Sequence, residues 1–68
     1  MKLSTRNQIR ATVTSVSQGE AIANVEMDAG GQRLVASITV EAARELGLEA
    51  GREVTALIKA SDVMVAVE

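Results

Sequence analysis

A chain of 68 residues without cysteine, histidine or any aromatic residue has material for one compact domain and few means of stabilising it. Disulfides are excluded, a zinc centre is disfavoured because carboxylates alone make poor structural sites, and Cys- or His-based nucleophile–base pairs cannot be built. Seven basic against nine acidic residues, a net charge of −2, leave no basic footprint for nucleic acid, and no aromatic ring is there for bases to stack on. Val, Ile, Leu, Ala and three Met must supply the whole core. A 60-residue domain buries only about 60% of the surface that its unfolded chain exposes, so association with further copies is the remedy left.

Along the chain, apolar and polar residues first alternate over Asn7–Val16, with Ile9, Ala11 and Val13 on one face and Arg10, Thr12 and Thr14 on the other. This predicts a strand. Ser17-Gln18-Gly19 breaks the pattern and Glu20–Met27 resumes it, Ala21, Ala23, Val25 and Met27 opposing Ile22, Asn24 and Glu26. Asp28-Ala29-Gly30-Gly31 reads as a hairpin turn into a third strand, Gln32–Val40. Glu41–Leu46, made of Ala, Arg, Glu and Leu, reads as a two-turn helix. Thr39 is its expected N-cap, Glu41 suits its first turn and Gly47 is the expected C′ residue. After Glu49-Ala50-Gly51, two further strands are expected over Val54–Lys59 and Val63–Val67. The order β-β-β-α-β-β predicts an all-β fold. Its form is a small five-stranded OB-like barrel with one short helix between strands 3 and 4, one domain over residues 1–68.

Met1–Arg10 lacks the apolar run of a signal peptide, and no segment reaches the roughly 20 apolar residues of a bilayer span. A soluble cytoplasmic protein with no membrane partner is expected. No spacing among Ser, Lys, Asp and Glu matches a catalytic motif, and Glu41 and Glu45, one helical turn apart, read as a solvated helix face. Three places have donors suited to an anion. Ser4-Thr5-Arg6-Asn7 gathers two hydroxyls, a guanidinium and an amide at the entry to the first strand. Lys59-Ala60-Ser61-Asp62 adds an ammonium and a hydroxyl between the last two strands. Thr39 marks a helix start, where free N–H groups and the helix dipole favour negative charge. Taken singly, the first two also fit polar turns, and the third fits simple capping.

Together these segments resemble the molbindins, the small molybdenum-pterin-binding (Mop) proteins. Leu3-Ser4-Thr5-Arg6-Asn7-Gln8 is similar to the family's opening motif. Ser37-Ile38-Thr39-Val40 followed by Glu45-Leu46-Gly47-Leu48 resembles its strand–helix unit, and Ala56–Met64 resembles its closing signature. The similarity spans nearly the whole chain, whose length is that of a free-standing single module. It implies an OB-like barrel assembled as a hexamer, a trimer of dimers, holding molybdate or tungstate at subunit interfaces without catalysis, for molybdenum storage or homeostasis. Ser4, Arg6, Thr39, Lys59 and Ser61 stand at the matching ligand positions, several of them contributed by different protomers. Asn7, Gly19, Ala42 and Ala60 are implied backbone contributors, Gly19 at a second class of site; Ala60 stands where the family commonly has a second small or hydroxyl residue. The protein would not ligate the metal directly, since the anion is bound through its oxygens. Ser37–Val54 also resembles the swapped-hairpin, antitoxin-type DNA-binding factors. That alternative needs a basic face, which this composition supplies poorly.

Overall fold

The computed structural model describes residues 6–68. Three strands, β1 (Asn7–Gln18), β2 (Ile22–Ala29) and β3 (Gln32–Thr39), precede helix α1 (Val40–Glu45). Strand β4 (Glu53–Ile58) and one turn of 3-10 helix, Ala60–Asp62, follow. The ends of these four strands and of the helix match the sequence expectation to within two residues, the ordinary uncertainty of element boundaries.

The strands form one antiparallel sheet in the order β3-β2-β1-β4. β1 is long because it serves two neighbours. Its first half, Asn7–Thr12, pairs with β4, and its second half, Thr12–Gln18, pairs with β2. The β1–β2 register shifts between Val13 and Ser15. Such a bulge increases local twist and resets which side chains face inward: Ala11 and Val13 are buried, and the next inward apolar residue is Val16 rather than Ser15. The β2–β3 hairpin closes through Gly30 and Gly31, both at positive φ (60° and 92°), as a tight two-residue turn requires.

The core is small. Ala11, Val13, Val25 and Met27 form one buried cluster, flanked by half-buried Leu34, Ala36, Ile38 and Val54. Ala23, Val40 and Ala43 form a second, where α1 covers one end of the sheet. The helix is fixed at both ends. Thr39 is the N-cap, its Oγ1 accepting the Ala42 N–H at 3.0 Å. At the other end Gly47 (φ 63°) lets its own N–H reach the Arg44 carbonyl and the Leu48 N–H reach that of Ala43. This paired closure satisfies carbonyls that the last turn leaves open.

One expectation is not met within the single chain: Val63–Val67, expected as a fifth strand, lies in no strand, and among the described residues four strands form one sheet. After the turn at Ala60–Asp62 the backbone is extended at Val63, but Met64, Val65 and Val67 are 94%, 87% and 92% exposed. The alternation is present; among the described residues a neighbouring strand is not. β3 and β4 are left as the two free edges of the sheet.

Candidate anion-binding site

The β1–β4 ladder ends on the pair Asn7↔Ile58. Arg6 immediately precedes it on one strand and Lys59 immediately follows it on the other, so two cations leave the sheet from one ladder end. The Asn7 side-chain amide donates to the Ile58 carbonyl at 3.1 Å, tying the bases of the two segments together. Asn7 was expected as a backbone contributor, and this positioning by its side chain was not foreseen; the available signal was an amide at the first position of a strand. Beyond Lys59, the 3-10 turn is held by the Asp62 N–H on the Lys59 carbonyl (2.9 Å) and the Val63 N–H on that of Ala60 (3.3 Å). Amides at the start of such a turn have no acceptor within it. Ala60 and Ser61 occupy that start, and both are exposed.

Thr39 belongs to a different neighbourhood. It closes β3 opposite Ile22, and Ile22 accepts the Gly19 N–H at 2.8 Å. Gly19, Ala21, Thr39 and Ala42 therefore gather at the far end of β1, beyond Gln18. The sheet thus separates the sequence-derived set into two groups, Arg6, Asn7, Lys59, Ala60 and Ser61 at one end of β1, and Gly19, Thr39 and Ala42 at the other. Ser4 lies outside the described residues, as does Thr5.

Two backbone expectations meet an obstacle. The Ala42 N–H is already donated to Thr39 Oγ1, and the Gly19 N–H to Ile22, so neither is available to an anion while these bonds hold. The Thr39 hydroxyl is better placed. It accepts from Ala42 with a lone pair and keeps its own O–H for a further acceptor, and Thr39 is exposed.

Two ion pairs lie among the described residues, both between residues on strands. Arg10 pairs with Glu53 at 3.5 Å, both well exposed. Arg33 holds Glu26 through its Nε and a second nitrogen, and Ser15 adds a hydroxyl bond at 2.9 Å. The Arg33 hydrogen bonds, then the Ser15 bond and the Arg33 charge, lower the Glu26 pKa below the usual carboxylate range. Among the described residues, neither Arg6 nor Lys59 joins an ion pair. Among those residues, too, no three His, Cys, Asp or Glu side chains cluster as a metal site would need, and no helix is long and apolar enough to cross a membrane.

Comparison with known proteins identifies the family and the fold. The family model described as the TOBE domain matches residues 3–65. A "probable molybdenum-pterin-binding protein" of Haemophilus influenzae is 45% identical, with all of both chains aligned. A molybdate-binding protein from Sporomusa ovata has the same fold, with a TM-score of 0.95 at 42% identity over 98% of this chain and 100% of that one. The cytoplasmic molybdate-binding protein ModG, solved with molybdate bound, superposes with a TM-score of 0.85 at 44% identity over 88% of this chain and 43% of the other. Ser37–Val54, the segment shared with swapped-hairpin factors, here forms β3, α1 and the start of β4 within one chain's sheet. By the match of its sequence along nearly its full length, the chain belongs to the TOBE-domain family, among the small molybdenum-pterin-binding proteins.

Proposed function

We propose that this chain is a non-catalytic binder of molybdate or tungstate, acting in intracellular molybdenum storage or homeostasis as a hexamer built as a trimer of dimers. The observation that carries the reading is the emergence of Arg6 and Lys59 from one ladder end, without a carboxylate partner among the described residues, in a chain of net charge −2. Like charges held together are unfavourable unless an anion joins them. A tetrahedral dianion accepts from both cations, and from the Ser61 hydroxyl and the turn amides beside them, with no metal–ligand bond to the protein. Ser4 completes this group on the sequence expectation.

Thr39 sits at the other end of β1, so the full donor set converges only where two copies meet. In an assembly that brings one copy's Arg6 and Lys59 to another's Thr39, each site draws on both. Barrel closure by a fifth strand, Val63–Val67, belongs to the same assembled state. The donor set holds an oxyanion through charge and hydrogen bonds, which suits storage.

Calorimetry with molybdate, tungstate, sulfate and phosphate tests the reading. Arg6→Ala is expected to weaken molybdate binding by about 1.5–3 kcal/mol, the contribution of hydrogen bonds to a charged group. Arg6→Lys restores only part of it, because the planar fork is lost. Arg6→Ala and Thr39→Ala chains, unfolded and refolded together, should regain about a quarter of the wild-type sites, since random mixing in a symmetric assembly pairs an intact Arg6 with an intact Thr39 that often. No heat with any oxyanion rejects the function. Binding by the wild type with no recovery in the mixture rejects the sharing of sites between copies.

A further inference from the structure

The register of the β1–β4 ladder sets the two cations against each other. From Thr12↔Glu53 to Asn7↔Ile58, each pair advances by one residue on both strands. Lys59 continues β4 with an extended backbone (φ −63°, ψ 139°), so the next position along the register is Arg6 opposite Lys59. Side chains directly opposite on neighbouring strands have Cβ atoms about 5 Å apart, and like charges at that spacing are destabilising. Neither cation joins an ion pair among the described residues, and Asp62, three residues beyond Lys59, joins none either. In the empty protein the repulsion therefore acts to splay the ladder open from this end.

Asn7 stands one rung inside the pair and is half-buried. Its Nδ2 donates to the Ile58 carbonyl at 3.1 Å, and among the described residues it is the one side-chain hydrogen bond that joins β1 to β4. The residue type suits the place. A Lys or Arg donor would add a third like charge, and an ionised Asp or Glu has no proton to donate and would compete with an anion for the cations. We infer that Asn7 is a positioning residue, whose amide holds Arg6 and Lys59 in register against their mutual repulsion, so that the cation pair is already formed in the empty protein. Its consequence for affinity rests on the oxyanion reading above: donors held in place before the anion arrives lose less freedom on binding it.

Backbone amide exchange in the full chain, without oxyanion, tests the inference. Asn7→Ala should speed exchange at Gln8, Leu57 and Ile58 relative to wild type. Weakening the repulsion should cancel most of that difference, either in about 1 M sodium chloride, where the Debye length is about 3 Å, or in a Lys59→Gln background. Equal acceleration with and without the Lys59 charge would make Asn7 an ordinary structural contact, and no acceleration would mean that its amide holds nothing; either overturns the inference. Asn7→Leu, close to it in size and without the donor, takes the place of Asn7→Ala if that variant fails to fold. In calorimetry, Asn7→Ala should raise the molybdate Kd about fivefold with Arg6 and Lys59 both intact, the factor that one hydrogen bond typically contributes. An unchanged Kd would overturn the positioning role. No molybdate uptake by the wild type would reject the proposed function instead, and the exchange rates would then decide the inference alone.

Discussion

Replacing Thr39 by alanine removes the hydroxyl that accepts the Ala42 N–H at 3.0 Å and leaves the rest of the helix start unchanged. N-cap deletions of this kind cost about 1 kcal/mol. Unfolding entropy near 60 °C is about 2.1 cal/mol/K per residue, which for 68 residues converts that loss into a fall in Tm of roughly 7 °C. The effect should reach the core, because α1 is only six residues long and holds Val40 and Ala43 over Ala23. Thr39→Ser keeps the acceptor and should stay close to wild type. Melts followed by circular dichroism, at one fixed protein concentration, measure both. Molybdate then separates capping from binding. A ligand stabilises the native state by RT ln(1 + [L]/Kd), so a raised Kd in Thr39→Ala shrinks the molybdate-induced shift beyond the loss already seen without ligand. An unchanged Tm in Thr39→Ala, or equal damage from Thr39→Ser, would refute the capping account. An equal molybdate shift in all three proteins would remove Thr39 from the oxyanion site.

Two further outcomes follow from the sheet. Val25, 1% exposed at the centre of the main cluster, should cost roughly 2 kcal/mol as Val25→Ala, from two lost methyl groups at about 0.8 kcal/mol each plus a cavity contribution; urea unfolding should show a lower midpoint at unchanged slope. Glu26 should titrate below the ordinary glutamate value in carboxyl NMR, and Arg33→Ala should raise its midpoint, because the Arg33 bonds are the first cause of its lowered pKa. A depressed carboxyl pKa stabilises the fold at neutral pH, and that contribution disappears as pH falls through the folded-state value.

Four strands and the helix were legible because each reports itself locally. Ala23, Val25 and Met27 alternate with polar residues, Gly30-Gly31 supplies the positive φ of a tight turn, and Thr39 and Gly47 mark helix ends by residue type alone. The bulge between Val13 and Ser15 was not legible, since Thr14 and Ser15 are both small and polar and either fits an outward position. Val63–Val67 shows the limit of pattern reading. Alternation indicates that a segment can be a strand, but its partner is a non-local choice that a sequence does not state. The candidate site divides in the same way. That Arg6, Thr39, Lys59 and Ser61 are donors could be read from residue type, whereas their distribution between the two ends of β1 depends on ladder register.

The unpaired tail and the divided donor set have a common physical basis in how little one chain buries. Among the described residues the core comprises seven buried side chains, all apolar, of which only Val13 and Val25 exceed alanine in size while being essentially inaccessible. Large apolar residues on the surface, among them Val35, Leu57, Val65 and Val67, are area that a second copy could cover. On the proposed reading, assembly draws its stability from that surface, and the polar ends of β1 meet as the copies close. Arg6 and Lys59 oppose this step when empty, because bringing cations into a partly desolvated interface is unfavourable. A bound dianion reverses the sign of that contribution. Occupancy and assembly are then thermodynamically linked: at a free oxyanion concentration of 100 times Kd the assembled state gains about 2.7 kcal/mol per site, and dilution of the anion returns that stability to solution together with the cargo.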